Sequence, residues 1–240
     1  MKKLIALLLC VTALVLLAAC GATAPAEESA ADALPTVLNQ NEYVLYQNIF
    51  FNNQAESYLG KTVTKVGTFT RLEDAFGNVT RYYVWGYNDA TKCCDWQWEF
   101  VPADPGSLPA NGALVEMTGT LARDEGALDK IWFTDAQVTV KTPYQGPACD
   151  VDMTAMSATL ERVQLANMQY KPDFFQGKSF RLYGRVMNPN TVQHPYYDNN
   201  WTQDFTTQDS VPAIGTMIIL SGTWRDGAVE GGKVEETKAY

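Results

Sequence analysis

Two adjacent cysteines pose the chemical question. The stretch Asp89-Ala90-Thr91-Lys92-Cys93-Cys94-Asp95-Trp96-Gln97-Trp98-Glu99-Phe100 sets two thiols among the carboxylates of Asp89, Asp95 and Glu99. Thiolates with carboxylates can ligate a soft metal ion, and exported proteins seldom keep thiols without a use. A bridge between Cys93 and Cys94 is strained, because neighbouring Cα atoms stand about 3.8 Å apart and a disulfide spans roughly 4.4–6.8 Å. A bridge from either one to Cys149 is easier and leaves one thiol over. A zinc or similar site could use both thiolates with Asp89, Asp95 or Glu99. A structural zinc site, however, usually takes four nitrogen or sulfur ligands, and neighbours in a regular strand point to opposite faces. Both thiols could also be small buried hydrophobes. Structural roles lead these readings and metal binding follows. Redox chemistry ranks last, since there is no C-x-x-C motif and only Lys92 is at hand to lower a thiol pKa.

The other reactive residues suggest less. His194 is the only histidine in the chain, which excludes a multi-histidine metal site and leaves no Ser-His-Asp triad to assemble. It stands in a loop-like stretch before Pro195 and is expected to be solvated. Asp124-Glu125 and Glu235-Glu236 read as solvated turn residues, because a glycosidase holds its two carboxylates rigidly across a cleft. No phosphate-cradling glycine loop is present. Aromatic residues crowd the first half, and Trp85, Trp96, Trp98 and, in the second half, Trp201 are candidates for a ligand-stacking face. The competing expectation is core filling, with Trp85 and Trp98 facing inward.

Charge narrows the partners. The 240 residues carry 18 basic and 27 acidic side chains, a net −9. Residues 36–146 hold 8 basic and 13 acidic residues, and residues 147–240 hold 8 and 11. Phosphate backbones are held by Lys and Arg, so neither half suits a nucleic acid.

The N-terminus reads as an address. Lys2 and Lys3 precede an apolar run from Leu4 to Leu17, too short for a comfortable membrane span. Leu17-Ala18-Ala19-Cys20 resembles the lipobox of bacterial lipoproteins. That resemblance implies a signal peptide over 1–19, an acylated Cys20 and anchoring in the lipid bilayer at the outer face of the cytoplasmic membrane. The exported chain would carry 16 basic and 27 acidic residues, a net −11. An anionic protein gains nothing from an anionic surface, so the acyl chains must anchor it. Residues 20–35, small and acidic, form the expected tether.

The remainder repeats. Gly60-Lys61-Thr62-Val63-Thr64-Lys65-Val66-Gly67 matches Gly177-Lys178-Ser179-Phe180-Arg181-Leu182-Tyr183-Gly184, and the block 109–120 matches 212–223. Each copy opens with a helical pattern: Tyr43, Tyr46 and Phe50 in the first; Met153, Met156, Leu160, Val163 and Tyr170 in the second, ended by Pro172. Strand-like runs follow at 62–71, 81–87, 97–101, 113–121 and 130–140. In the second copy they fall at 178–187, 200–206, 216–224 and 233–239, with one more near His194–Tyr197. A hairpin loop is expected at Asp74–Asn78. These runs predict a mainly β protein with one short helix per repeat: two tandem small OB-like five-stranded antiparallel barrels over 36–146 and 147–240. The helix stands before the first strand instead of between the third and fourth, where an OB barrel usually carries it.

The Asp89-Ala90-Thr91-x-Cys93-Cys94 motif with Glu99-Phe100, and Asp152–Ser157 running on to Gly177-Lys178, are similar to uncharacterised small lipoproteins of Gram-positive gut bacteria of Firmicutes type. More distantly, the cysteine pair resembles the extracellular OB-like domain of a permease-associated subunit family. The resemblance implies an extracytoplasmic OB-like module beside a membrane protein such as a permease, and carries no catalytic residue across. The expected function is therefore non-catalytic binding of a small ligand or protein partner, without a cofactor. A soft-metal binding protein using Cys93 and Cys94 is the alternative, and a glycan-binding or glycan-acting surface protein the weaker one.

Overall fold

Two closed barrels stand in tandem in the computed structural model, which describes residues 40–237 apart from 77, 89, 91, 93, 125–129 and 195–200. The signal segment, Cys20, the 20–35 tether, Asp89 and Cys93 lie outside the described residues. The first barrel is built from β1 (Thr62–Asp74), β2 (Val79–Tyr87), β3 (Asp95–Pro102), β4 (Leu114–Asp124) and β5 (Lys130–Thr142), in the closed order β1-β2-β3-β5-β4. All pairs are antiparallel except β3 with β5. β1 serves two neighbours: Thr62–Thr68 pairs with β4, and Thr68–Asp74 with β2. Such a strand must bend, and Gly67 stands at the bend. A Cβ there would lie 2.5 Å from the Trp85 carbonyl oxygen and 2.9 Å from the Trp96 ring.

The second barrel repeats the plan. β7 (Ser179–Asn188), β8 (Thr191–Gln193), β9 (Thr202–Thr207), β10 (Met217–Arg225) and β11 (Ala228–Glu236) close through β10 with β7, and β9 runs parallel to β11. The short β6 (Val151–Asp152) adds a parallel edge to β7. The repeated glycines do equivalent work. Gly60 N–H donates to the Leu121 carbonyl at 2.8 Å, and Gly177 N–H to that of Trp224 at 2.9 Å. Gly112 N–H donates to Phe69, and Gly215 N–H to Val186. Both Gly112 and Gly215 have positive φ, near 90°, which a side chain would disfavour.

Several boundaries differ from the sequence reading. A strand stands at Thr191–Gln193, and the one sought near His194–Tyr197 falls, beyond His194, on residues outside the described ones. The last strand begins at Ala228 because Asp226-Gly227, both at positive φ, make a two-residue hairpin that pairs Arg225 with Ala228. Among the described residues the α-helices are α1 (Gln40–Phe50) and α2 (Ala158–Tyr170), each ahead of its barrel. Tyr43 and Tyr46 of α1 pack on the first core as expected. Phe50 is partly exposed, with its ring 5.3 Å from that of Trp98, and Ile49 takes the buried position.

The expected face of α2 needs correction. Met153 and Met156 belong to a separate 3-10 turn, whose Thr154 N–H is held by the Asp152 carboxylate. The helix starts afresh at the Ser157 cap. Its phase therefore turns Leu160, Glu161, Gln164, Leu165, Asn167 and Met168 inward, while Val163 and Tyr170 are exposed. Among the described residues no helix is long and apolar enough to cross a membrane.

The barrels are joined by a shared apolar cluster. Val84 of β2 faces the first core with Phe69, Trp96, Trp98 and Phe100. Strand alternation then turns Trp85 and Tyr87 outward. Both belong, with Ala75, to the apolar cluster that also holds Leu160, Leu165 and Phe180 of the second repeat.

Candidate functional site

Of the suspected metal ligands, Asp95 and Glu99 are engaged by other partners, and Asp89 and Cys93 lie outside the described residues. The Asp95 carboxylate accepts from the Thr159 N–H and hydroxyl, each at 2.9 Å, which fastens β3 to the first turn of α2. Glu99, four residues on, pairs with Arg81 at 3.1 Å and with Lys130, and accepts from the Tyr83 hydroxyl. The Cys94 carbonyl accepts from Asn88 N–H at 2.9 Å, closing the loop ahead of β3. Among the described residues no three His, Cys, Asp or Glu side chains gather as a metal site.

The expected aromatic face is interior. Trp96 and Trp98 fill the first barrel. Trp85, expected to face inward, lies on the outer face of that barrel and is covered by the second repeat, its indole N–H donating to Thr70 Oγ1 at 2.9 Å. Trp201 is half-buried on the second core and meets the His194 ring edge-on, with centroids 5.7 Å apart. His194, expected in solvent, is fully buried: its Nε2 lies 2.6 Å from Glu161 Oε1 of α2, which is buried as well. Burial raises the Glu161 carboxyl above the usual carboxylate range, against the opposing pull of His194. An acidic residue on a helix ordinarily reads as solvated, so only the buried partner explains this one.

The bridge to Cys149 is not formed; Cys149 is a free thiol. The segment carrying it leaves β5 and is drawn along the second barrel, where Val151 pairs with Phe180. There it lines a cavity of about 370 Å³ at the junction of the barrels. β1 supplies Arg71 and Glu73, the loop before β4 supplies Asn111, the connector supplies Tyr144 and Cys149–Asp152, and Gln164 and Lys178 complete the wall.

The fold holds this wall from several directions. Asn111 clamps the Arg71 backbone, accepting from its N–H at 2.6 Å and donating to its carbonyl at 3.1 Å. Asn167 donates to the Glu73 carbonyl, and Lys178 pairs with the Glu73 carboxylate at 3.1 Å. Asp152 accepts from the Tyr144 hydroxyl and lies 3.6 Å from Arg181. Asp150 accepts from the Ser179 N–H and hydroxyl, which hold its carboxyl below the usual range. Burial, then the Asp152 and Asp150 charges, push the Cys149 thiol up to about 12. Burial, then its bond to Asp152, raise the Tyr144 hydroxyl.

One group on this wall lacks a partner. Gln164 is 2% exposed, and its amide Nε2 makes no hydrogen bond. A buried amide left unmet costs about 1–3 kcal/mol. Sequence reasoning missed this cavity. Its wall comes from five separate stretches, and of their residues only Cys149 had drawn attention. No protein-family model matches the chain, and no curated protein matches it.

Proposed function

We propose that this chain is a lipoprotein, anchored through Cys20 at the outer face of the bacterial cytoplasmic membrane, that binds a small molecule without transforming it. The site is the cavity between its two barrels. The observation that carries this reading is a cavity lined by both repeats, with Arg71, Glu73 and Asn111 from the first and Phe175 and Lys178 from the second. Its volume lies near the lower end of ligand pockets, roughly 300–1,000 Å³. The nearby groups favour binding over catalysis. A thiol near 12 is not a thiolate at neutral pH, and the Tyr144 hydroxyl already donates to Asp152.

The test separates anchoring from binding. Mass spectrometry of the membrane fraction should find a mature N-terminal peptide that begins at an acylated Cys20; an unmodified Cys20 in the mature protein would overturn the lipoprotein reading. Ala148→Trp, at an exposed residue on the cavity rim, should keep the melting temperature and abolish the thermal shift given by any small polar ligand that stabilises the native protein. A shift that survives Ala148→Trp would place binding elsewhere.

A further inference from the structure

One side of α1 presents apolar groups to water. Tyr43, Tyr46 and Ile49 pack on the first core, whereas Val44 is 44%, Phe50 42% and Phe51 73% exposed. Val44 and Phe51 stand seven residues apart, which is two turns along one side of a helix. Phe51 is not on a loose end. Its N–H and that of Asn52 donate to the Gln47 carbonyl at 2.8 and 3.0 Å, and the Gln54 N–H donates to the Asn48 carbonyl at 2.9 Å. Asn53 completes this turn at positive φ. The Phe50 and Phe51 rings lie beside that of Tyr46, with centroids 4.7 and 6.1 Å away. The fold thus holds two phenyl rings toward water at the end of its first described helix.

Charge and position say what covers them. Residues 33–55 include a single charged residue, Glu42, and the next one, Glu56, is paired with Arg123 at 3.0 Å. Phe76 and Tyr170 form another exposed aromatic pair, but the Asp74–Arg81 ion pair and Lys171 stand beside it in the chain. Taking such charges out of water is costly. α1 is also the first described element after Cys20, and a chain of twenty residues, even fully extended, keeps it within about 70 Å of an anchor there. We infer that this face rests on the membrane, with Val44, Phe50 and Phe51 entering the boundary between headgroups and acyl chains. The inference rests on the lipoprotein reading above and deepens it, because it fixes which side of the protein meets the bilayer. Phenyl rings flanked by the amides of Gln47, Asn48 and Asn52 suit a boundary where apolar groups are buried and polar groups stay hydrated. Anionic headgroups repel an exported chain of net −11, so the stretch poorest in charge is the one that can approach them.

Photo-crosslinking tests this on the full protein taken from the membrane fraction. It is reconstituted in vesicles of phosphatidylcholine and phosphatidylglycerol, some of whose acyl chains carry a diazirine. Fragmentation mass spectrometry should place lipid adducts on residues 44–51. The double variant Val44→Asp, Phe51→Asp should lower that yield about tenfold or more and keep the melting temperature, since both side chains are exposed. Phe76→Asp should leave the yield unchanged. If Cys20 proves unacylated, the lipoprotein reading and this inference fall together. If Cys20 is acylated and adducts are absent from residues 44–51, or are as abundant at Phe76 and Tyr170, this inference alone falls. It falls as well if the native protein dimerises, the double variant is monomeric and no adduct forms on α1, for a second copy would then cover the face.

Discussion

Asp95 of the first barrel caps the helix of the second repeat: its two carboxylate oxygens accept from the Thr159 N–H and Oγ1, each at 2.9 Å. The second residue of α2 would otherwise keep an unmet backbone donor, and a negative charge there favours the helix dipole. Removing this carboxylate should therefore loosen the junction that forms the cavity. Asp95→Ala is expected to cost about 1–2 kcal/mol. Urea unfolding of this variant, of Thr159→Ala and of the pair gives a cycle; additive losses would show that the two residues do not act together.

The repeated glycines should tolerate a methyl group differently despite equivalent places in the two barrels. At Gly67 a Cβ meets the Trp85 backbone oxygen at 2.5 Å, whereas at Gly184 it meets Val192 side-chain atoms from 2.6 Å. Each alanine substitution should cost about 1–3 kcal/mol through overpacking. The nearest atom at Gly184 is the Val192 Cβ, so Val192→Gly, which removes it, should offset part of the loss in the Gly184→Ala background, whereas Val192→Ala should not. Truncating the Trp85 side chain leaves the offending oxygen in place and should not rescue Gly67→Ala. Equal rescue at both sites would contradict this account of the close approach.

The repeat was legible because glycine at a crowded or left-handed position leaves few substitutes, so Gly60/Gly177 and Gly112/Gly215 persist as markers. Strand alternation predicted buried tryptophans, yet it cannot say which side of β2 meets another body. Trp85 is buried outside the first barrel, against the second. The cysteine pair drew attention as a rare residue type, but Asp95 and Glu99 beside it hold α2, Arg81 and Lys130. The cavity left no such trace. Gln164 looks like a surface residue on a helix until the 3-10 turn at Met153–Ala155 has reset the phase of α2.

The buried Glu161–His194 pair gives the stability a distinct pH dependence. Burial raises the folded pKa of Glu161 above its ordinary 4.5, with His194 lowering it and Asp152 adding to the rise. Folding therefore favours the protonated acid. Its contribution is complete below 4.5 and is lost as the pH climbs toward the folded value. Glu161→Gln holds the neutral form and should lack this loss. Between pH 4.5 and 7 its stability should gain on that of the native protein by up to about 1.4 kcal/mol per pH unit. Unfolding curves measured across this range would refute the assignment if the two proteins stayed parallel.

Cys149 should be a slow nucleophile despite its place on a cavity wall. With its pKa near 12, raised by burial and by Asp152 and Asp150, only about one thiol in ten thousand is ionised at pH 8. In the unfolded chain the burial and the neighbouring carboxylates are gone. Alkylation with iodoacetamide, read at the Cys149 peptide by mass spectrometry, should be at least about a hundredfold slower in the native protein than in urea. A native rate matching the unfolded one would mean that the thiol is neither buried nor held in the field of Asp152.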